Sequence, residues 1–211
     1  MIPKILHFVW LGDKLPDEEQ KNIDSWHKHN PDLKIMLWGN DNIKELNLNE
    51  GAMKAFRAGD GIYGYQSDII RQHAVNMFGG FYSDTDIECH KKLPEDFFKK
   101  DYVFIKPREG ANWLNPAFFG SYEKSPVTNK IVSGIVEVSK EYVDERRCYI
   151  YGPTYFSRVI RLSIGMPTYS DILDIPKYLE NSLVLDYTFW CNRNKDRYIT
   201  HYFKASWIKR K

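Results

Sequence analysis

Cysteine is scarce in this chain of 211 residues: Cys89, Cys148 and Cys191 lie far apart, with no CxxC pair. That count excludes a disulfide framework and a zinc site built on paired cysteines, and a reducing cytoplasm is the expected setting. An excess of one charge is also missing, with 30 Lys and Arg against 28 Asp and Glu. A nucleic-acid partner held by bulk electrostatics is therefore not expected. No run approaches the ~18 apolar residues of a membrane span. The opening Met1-Ile2-Pro3-Lys4-Ile5-Leu6 lacks the regions of a secretory signal. Repeats, low-complexity tracts and linkers are absent too, so one domain over residues 1–211 is expected. Aromatic residues are plentiful, at 15% of a chain that is 43% hydrophobic. That composition excludes disorder. The rings suit either a core of large side chains or a cleft that stacks flat ligands.

Residues 4–11 form an almost continuous apolar run closed by Gly12-Asp13, which reads as a strand of a parallel sheet covered on both faces. Pro16-Asp17-Glu18-Glu19 has the look of a helix start. Ile23 and Trp26 follow at helical spacing, Asn30-Pro31-Asp32 closes the segment, and a second strand fits Lys34 to Trp38. This βαβ opening predicts an α/β fold. Residues 50–78 read as two helices split by Gly59-Asp60-Gly61, with Ser67 as the N-cap of the second part and Gly79-Gly80 as its stop. Strands are expected at Phe81-Tyr82, 102–105 and 117–120, and helices at 127–142 and 154–162. The last third carries no regular pattern.

The sharpest local feature is Gly79-Gly80-Phe81-Tyr82-Ser83-Asp84-Thr85-Asp86. Residues i and i+2 of a strand project on one side, and two carboxylates held close together resist ionisation unless a cation neutralises them. A hard divalent ion does so and keeps room for phosphate oxygens. An Asp-x-Asp at the carboxyl edge of an α/β sheet is thus a clamp for a nucleoside diphosphate, or else a pair of solvated turn residues. Upstream, Asp68 and Arg71 share a helix face at i, i+3. They form either a surface ion pair or a carboxylate and guanidinium set to grip hydroxyls and phosphate.

Taken together, these segments resemble the DXD-containing sugar transferases of glycosyltransferase family 32, which groups yeast-type α-mannosyltransferases with bacterial capsule and cell-surface polysaccharide enzymes. The resemblance runs through Ile2-Pro3-Lys4-Ile5-Leu6-His7-Phe8-Val9-Trp10-Leu11-Gly12, Ser67-Asp68-x-x-Arg71 and Gly79-Gly80-x-Tyr82-x-Asp84-x-Asp86. It continues through Asn115-Pro116-Ala117-Phe118-Phe119-Gly120, Gly152-Pro153 and His201 to Ser206-Trp207. It implies a GT-A fold, a Rossmann-like nucleotide-diphospho-sugar transferase with a mixed central sheet. The donor-binding half would be roughly 1–110 and the acceptor-side half roughly 111–211.

The resemblance further implies transfer of a sugar from a UDP- or GDP-linked donor, with Mn²⁺ or Mg²⁺ and retention of configuration. By position, Asp86 is the direct metal ligand. Asp84 holds the ribose and a metal-bound water, and His201 is a further ligand. Trp10 lies against the base, Asp68 and Arg71 grip the donor sugar with Tyr82 close by, and Asn115 lies near the anomeric carbon. Ser206 and Trp207 cover the diphosphate. The acceptor would be a saccharide or a glycolipid in cell-surface polysaccharide synthesis. Thr200-His201-Tyr202-Phe203 stands where relatives often show paired histidines and a tryptophan. Lys209-Arg210-Lys211 is either a solvated tail or a peripheral contact with an anionic membrane. The rival readings are a non-catalytic nucleotide-sugar or carbohydrate-binding module and a metal-dependent nucleotidyltransferase. The second is disfavoured because no glycine-rich phosphate loop follows the first strand.

Overall fold

The computed structural model describes residues 1–146, 150–191 and 194–204. The strands are β1 (Ile5–Val9), β2 (Lys34–Trp38), β3 (Gly80–Ser83), β4 (Ile87–Cys89), β5 (Tyr102–Ile105), β6 (Phe118–Ser121), β7 (Ser182–Leu185) and β8 (Ile199–His201). The helices are α1 (Asp17–His29), α2 (Glu50–Ala58), α3 (Tyr63–Phe78), α4 (Glu95–Phe98), α5 (Pro126–Ser133), α6 (Lys140–Arg146), α7 (Pro153–Ser163) and α8 (Ile175–Tyr178). Six strands form one sheet in the order β2-β1-β3-β6-β5-β7, and β4 pairs with β8 in a separate two-stranded ribbon. Within the large sheet β1 is parallel to β2 and β3, and β5 is parallel to β7. Strand β6 runs antiparallel to both β3 and β5. The sheet is therefore mixed, and β1, β3, β5 and β7 all end on the same edge.

Alternation along each strand splits the core into two layers. Phe81, Val103, Ile105 and Phe118 face α1 and its Ile23 and Trp26. Tyr82, Tyr102, Phe104 and Phe119 face α3, α5 and α7. The abundant aromatics are therefore mostly core. Trp26 is fully buried, stacks on Phe118 and donates its indole N–H to the Ile87 carbonyl at 2.9 Å.

Two expectations about helices are corrected. Helix α3 begins at Tyr63 with no side-chain cap, and Ser67 lies inside it. The early start follows from tertiary packing: the Tyr65 ring lies so close to Gly59 that a Cβ there would collide with it, and Tyr65 also packs on Tyr151. The helix expected over 127–142 is two helices, because α5 stops at Gly134, where a Cβ would meet the Tyr155 hydroxyl at 2.6 Å. The double glycine does end α3, for a specific reason. Gly79 and Gly80 have φ of +64° and +95°, and a Cβ on Gly80 would lie 2.6 Å from the Ile5 carbonyl oxygen. Only glycine lets the chain leave the helix and enter β3 pressed against β1. Among the described residues no helix is long and apolar enough to cross a membrane.

Candidate active site

Strand β3 delivers Asp84, Thr85 and Asp86 to the carboxyl edge of the sheet, but the strand itself ends at Ser83. The two carboxylates therefore sit in a turn and not on one face of a strand. What brings them together is a set of bonds from neighbouring elements. The Asp84 amide donates to the Ala117 carbonyl at 2.9 Å. Asn22 of α1, itself buried, donates its amide to the Thr85 carbonyl at 2.9 Å. On the far side β8 pairs with β4, placing His201 opposite Ile87. One ligand atom from each of Asp84, Asp86 and His201 lies within 4.8 Å of the others.

Arg71 reaches this turn from α3. Its guanidinium meets Asp68 at 3.3 Å and Asp84 at 3.2 Å, and it lies 4.8 Å from the centre of the Tyr82 ring. The Tyr82 hydroxyl donates to Asp84 at 2.7 Å. Asp68 is buried behind the arginine, so it holds Arg71 in place and does not itself line the cavity. Burial pushes the Asp68 carboxyl up to about 7, against the pull of Arg71. Burial also raises Asp84, again opposed by Arg71. Asp86 goes the other way: His201 and the Lys204 amide outweigh its burial and hold it below the ordinary value. Arg71 thus pairs with Asp68 and Asp84, whereas Asp86 faces His201 and the Lys204 amide, and a divalent cation would neutralise the two carboxylates of the turn.

The donors fit such an ion. Two carboxylates suit Mg²⁺ or Mn²⁺, and an imidazole adds a softer nitrogen. His201 Nε2 lies 3.3 Å from Asp86 Oδ1, whereas its Nδ1 is buried with no hydrogen-bond partner among the described residues. The cluster opens into a cavity of about 560 Å³ lined also by Trp10, Leu11, Asp13, Tyr63, Arg71 and Phe203. Trp10 follows β1, and its indole N–H donates to the Asp13 carbonyl at 2.9 Å, which fixes the ring at the cavity wall.

Asn115 does not line the cavity; its side-chain oxygen accepts from the Ala117 amide at 3.0 Å, shaping the turn whose Ala117 carbonyl holds Asp84. His7 is wholly structural. It donates from Nε2 to the Gly79 carbonyl at 2.8 Å and accepts at Nδ1 from Trp38 at 3.0 Å. Ser206, Trp207 and the basic tail 209–211 lie outside the described residues, as does Cys148. Asn22, Phe203 and Lys204 adjoin the acidic turn, and Glu19 meets Lys204, without having been singled out as site residues in the sequence. The acidic first turn of α1 was a signal for Glu19, but it reads equally well as an ordinary helix start.

A mixed sheet with an acidic turn at its carboxyl edge, a nearby cavity and helices on both faces defines a GT-A fold. The same fold appears in a solved structure titled PaToxG glycosyltransferase, with a TM-score of 0.64 at 18% identity, covering 78% of this chain and 70% of that one. Residues 16–105 match the family described as "Glycosyltransferase sugar-binding region containing DXD motif", so this part of the chain is similar to the DXD-containing sugar transferases. It is 30% identical over 138 residues to an uncharacterized glycosyltransferase, L373, of Acanthamoeba polyphaga mimivirus, covering 62% of this chain and 54% of that one. It is 24% identical over 150 residues to inositol phosphoceramide mannosyltransferase 1 of Schizosaccharomyces pombe, covering 67% of this chain and 45% of that one. The chain spans between 21% and 54% of the length of the curated relatives it matches.

Proposed function

We propose that the protein is a metal-dependent glycosyltransferase that moves a sugar from a UDP- or GDP-linked donor to a saccharide or lipid-linked acceptor, with retention of anomeric configuration. The observation that carries this reading is the convergence of Asp84, Asp86 and His201 beside a cavity into which Arg71 also reaches. Asp86, Asp84 and His201 would hold Mn²⁺ or Mg²⁺. When bound, such an ion supplies positive charge beside the diphosphate leaving group. The imidazole favours Mn²⁺ over Mg²⁺.

The chain's own residues supply the rest. Trp10, fixed by its bond to Asp13, offers a flat face for the base. Arg71, locked between Asp68 and Asp84, presents a preorganised guanidinium to the donor sugar or its phosphate, so no reorganisation is needed as charge develops. Tyr82 and Asn115 act by positioning Asp84 and the turn beneath it. Retention rests on the resemblance to family 32, and a role in cell-surface glycan synthesis on the same ground. The ceramide-type acceptor named for the yeast relative makes a lipid-linked acceptor the first class to try.

The test is release of nucleoside diphosphate from a panel of UDP- and GDP-sugars. We expect release that requires Mn²⁺ and falls by on the order of 10³-fold in Asp86→Asn, with the variant still folded. Full activity of that variant in EDTA would refute the reading. Pyrophosphate release from a nucleoside triphosphate would instead favour a nucleotidyltransferase, and binding without release a non-catalytic module.

A further inference from the structure

Residues 202–204, which follow His201 out of β8, are tied to Asp86 at both ends. The Tyr202 amide donates to the Asp86 carbonyl at 3.0 Å, and the Lys204 amide donates to Asp86 Oδ2 at 2.9 Å. For two amides so close in sequence to reach one residue, the chain must fold back at Phe203. That residue adopts φ of +50°, a left-handed conformation that costs an aromatic residue energy. The conformation is held by the Phe203 ring, which stacks on His201 with centres 3.8 Å apart and meets Trp190 edge-on at 5.9 Å.

The Lys204 side chain then anchors the segment to α1. Its Nζ lies 2.9 Å from Glu18 and 3.3 Å from Glu19, and 5.7 Å from the centre of the Tyr202 ring. Glu18 is exposed, but Glu19 is buried, on the same face of α1 as Asn22 and Trp26. A buried carboxylate needs a partner, and Lys204 is the cation that meets it among the described residues. Helix α1 thus grips the acidic turn twice, through Asn22 on Thr85 and through Glu19 on Lys204.

We propose that Lys204 is a positioning residue for the metal centre. Clamped by Glu19 and Glu18, it keeps its own amide on Asp86 Oδ2 and so leaves Oδ1 turned toward His201 for the cation. This inference rests on the metal-binding reading above. It adds a requirement that the three ligand residues alone do not meet, namely a correct contact between the chain after β8 and the first turn of α1. Partners of metal ligands are worth about 10- to 100-fold in affinity.

The test is Mn²⁺ binding by electron paramagnetic resonance to the intact chain and to Lys204→Met, Lys204→Arg and Glu19→Gln, with melting temperatures taken without metal. The inference predicts at least about tenfold weaker Mn²⁺ binding in Lys204→Met and Glu19→Gln, near-complete rescue in Lys204→Arg, and metal-free melting close to that of the intact chain in Lys204→Arg and in Glu19→Gln, which leaves no unpaired buried carboxylate. Unchanged affinity in Lys204→Met and Glu19→Gln, with the intact chain binding normally, would overturn the positioning role and leave the metal site standing. A loss in Lys204→Met matched by a large fall in melting temperature, with no rescue by arginine, would also overturn it. Failure of the intact chain to bind Mn²⁺ would overturn the metal reading and this inference with it.

Discussion

His7 and His201 are both buried imidazoles stacked against aromatic rings, yet their nitrogens meet different surroundings. His7 lies 6.1 Å from Trp38 and 6.2 Å from Phe78, ring centre to ring centre, and both of its nitrogens are hydrogen-bonded, one to Trp38 of β2 and one to the carbonyl of Gly79 at the end of α3. His201 lies between Phe203 and Trp190, with one nitrogen facing a carboxylate and the other buried without a partner. A satisfied histidine contributes to stability; an incompletely satisfied one beside clustered acids is poised to bind something. Burial alone does not separate the two, since both are nearly inaccessible.

The most severe test of this contrast is a pair of alanine variants. His201→Ala should weaken Mn²⁺ binding by on the order of 100-fold, and it also lowers metal-free stability through the cavity it opens and the Phe203 stacking it removes. His7→Ala should leave Mn²⁺ affinity unchanged but cost about 3 kcal/mol of stability, because it opens a cavity and strands the Trp38 indole and the Gly79 carbonyl. Isothermal titration and chemical denaturation of both variants separate these outcomes. If His7→Ala lost metal and His201→Ala lost only stability, the assignment of roles would be reversed.

A gentler test uses pH. Burial pushes the His7 imidazole from its ordinary 6.5 down to about 4. Above about pH 6.5 the ring is neutral whether the chain is folded or not, and its contribution is complete. As pH falls from 6.5 toward 4, the unfolded chain takes up a proton that the folded chain refuses, so stability falls, by on the order of 3 kcal/mol in all. Subtracting the profile of His7→Gln from that of the intact chain isolates this loss from the carboxylates. A flat difference between pH 7 and pH 4 would show that His7 is not held neutral.

Much of this architecture could be read from the residues alone. The apolar run from Lys4, the acidic start of α1, the double glycine and the Asp-x-Asp all carry local chemistry that fixes their conformation. The parts that escaped are those decided at a distance. Strands β4 and β8 are three residues each, Ile-Glu-Cys and Ile-Thr-His, too short to show a period and visible only once paired. Ser67 has the right chemistry for a cap, but the packing of Tyr65 on Gly59 starts the helix earlier. At the site itself, Asp68, Arg71, Asp84 and Asp86 were legible as chemistry, and His201 only through the family resemblance. Their division of labour was not: Asp68 stands behind Arg71, and Asn115 supports a turn. The contact between Lys204 and Glu19 joins residues 185 positions apart, a separation that no local pattern encodes.

In the proposed function, the acidic turn after β3 and the histidine of β8 together hold a divalent cation against a nucleoside diphosphate. Anomalous diffraction at the manganese edge, from crystals grown with Mn²⁺ and UDP or GDP, tests it most directly. A single strong peak is expected within bonding distance of Asp86 and His201 and of the diphosphate oxygens. A nucleotide bound in the cavity with no anomalous peak near Asp86, or a manganese ion held elsewhere, would contradict it.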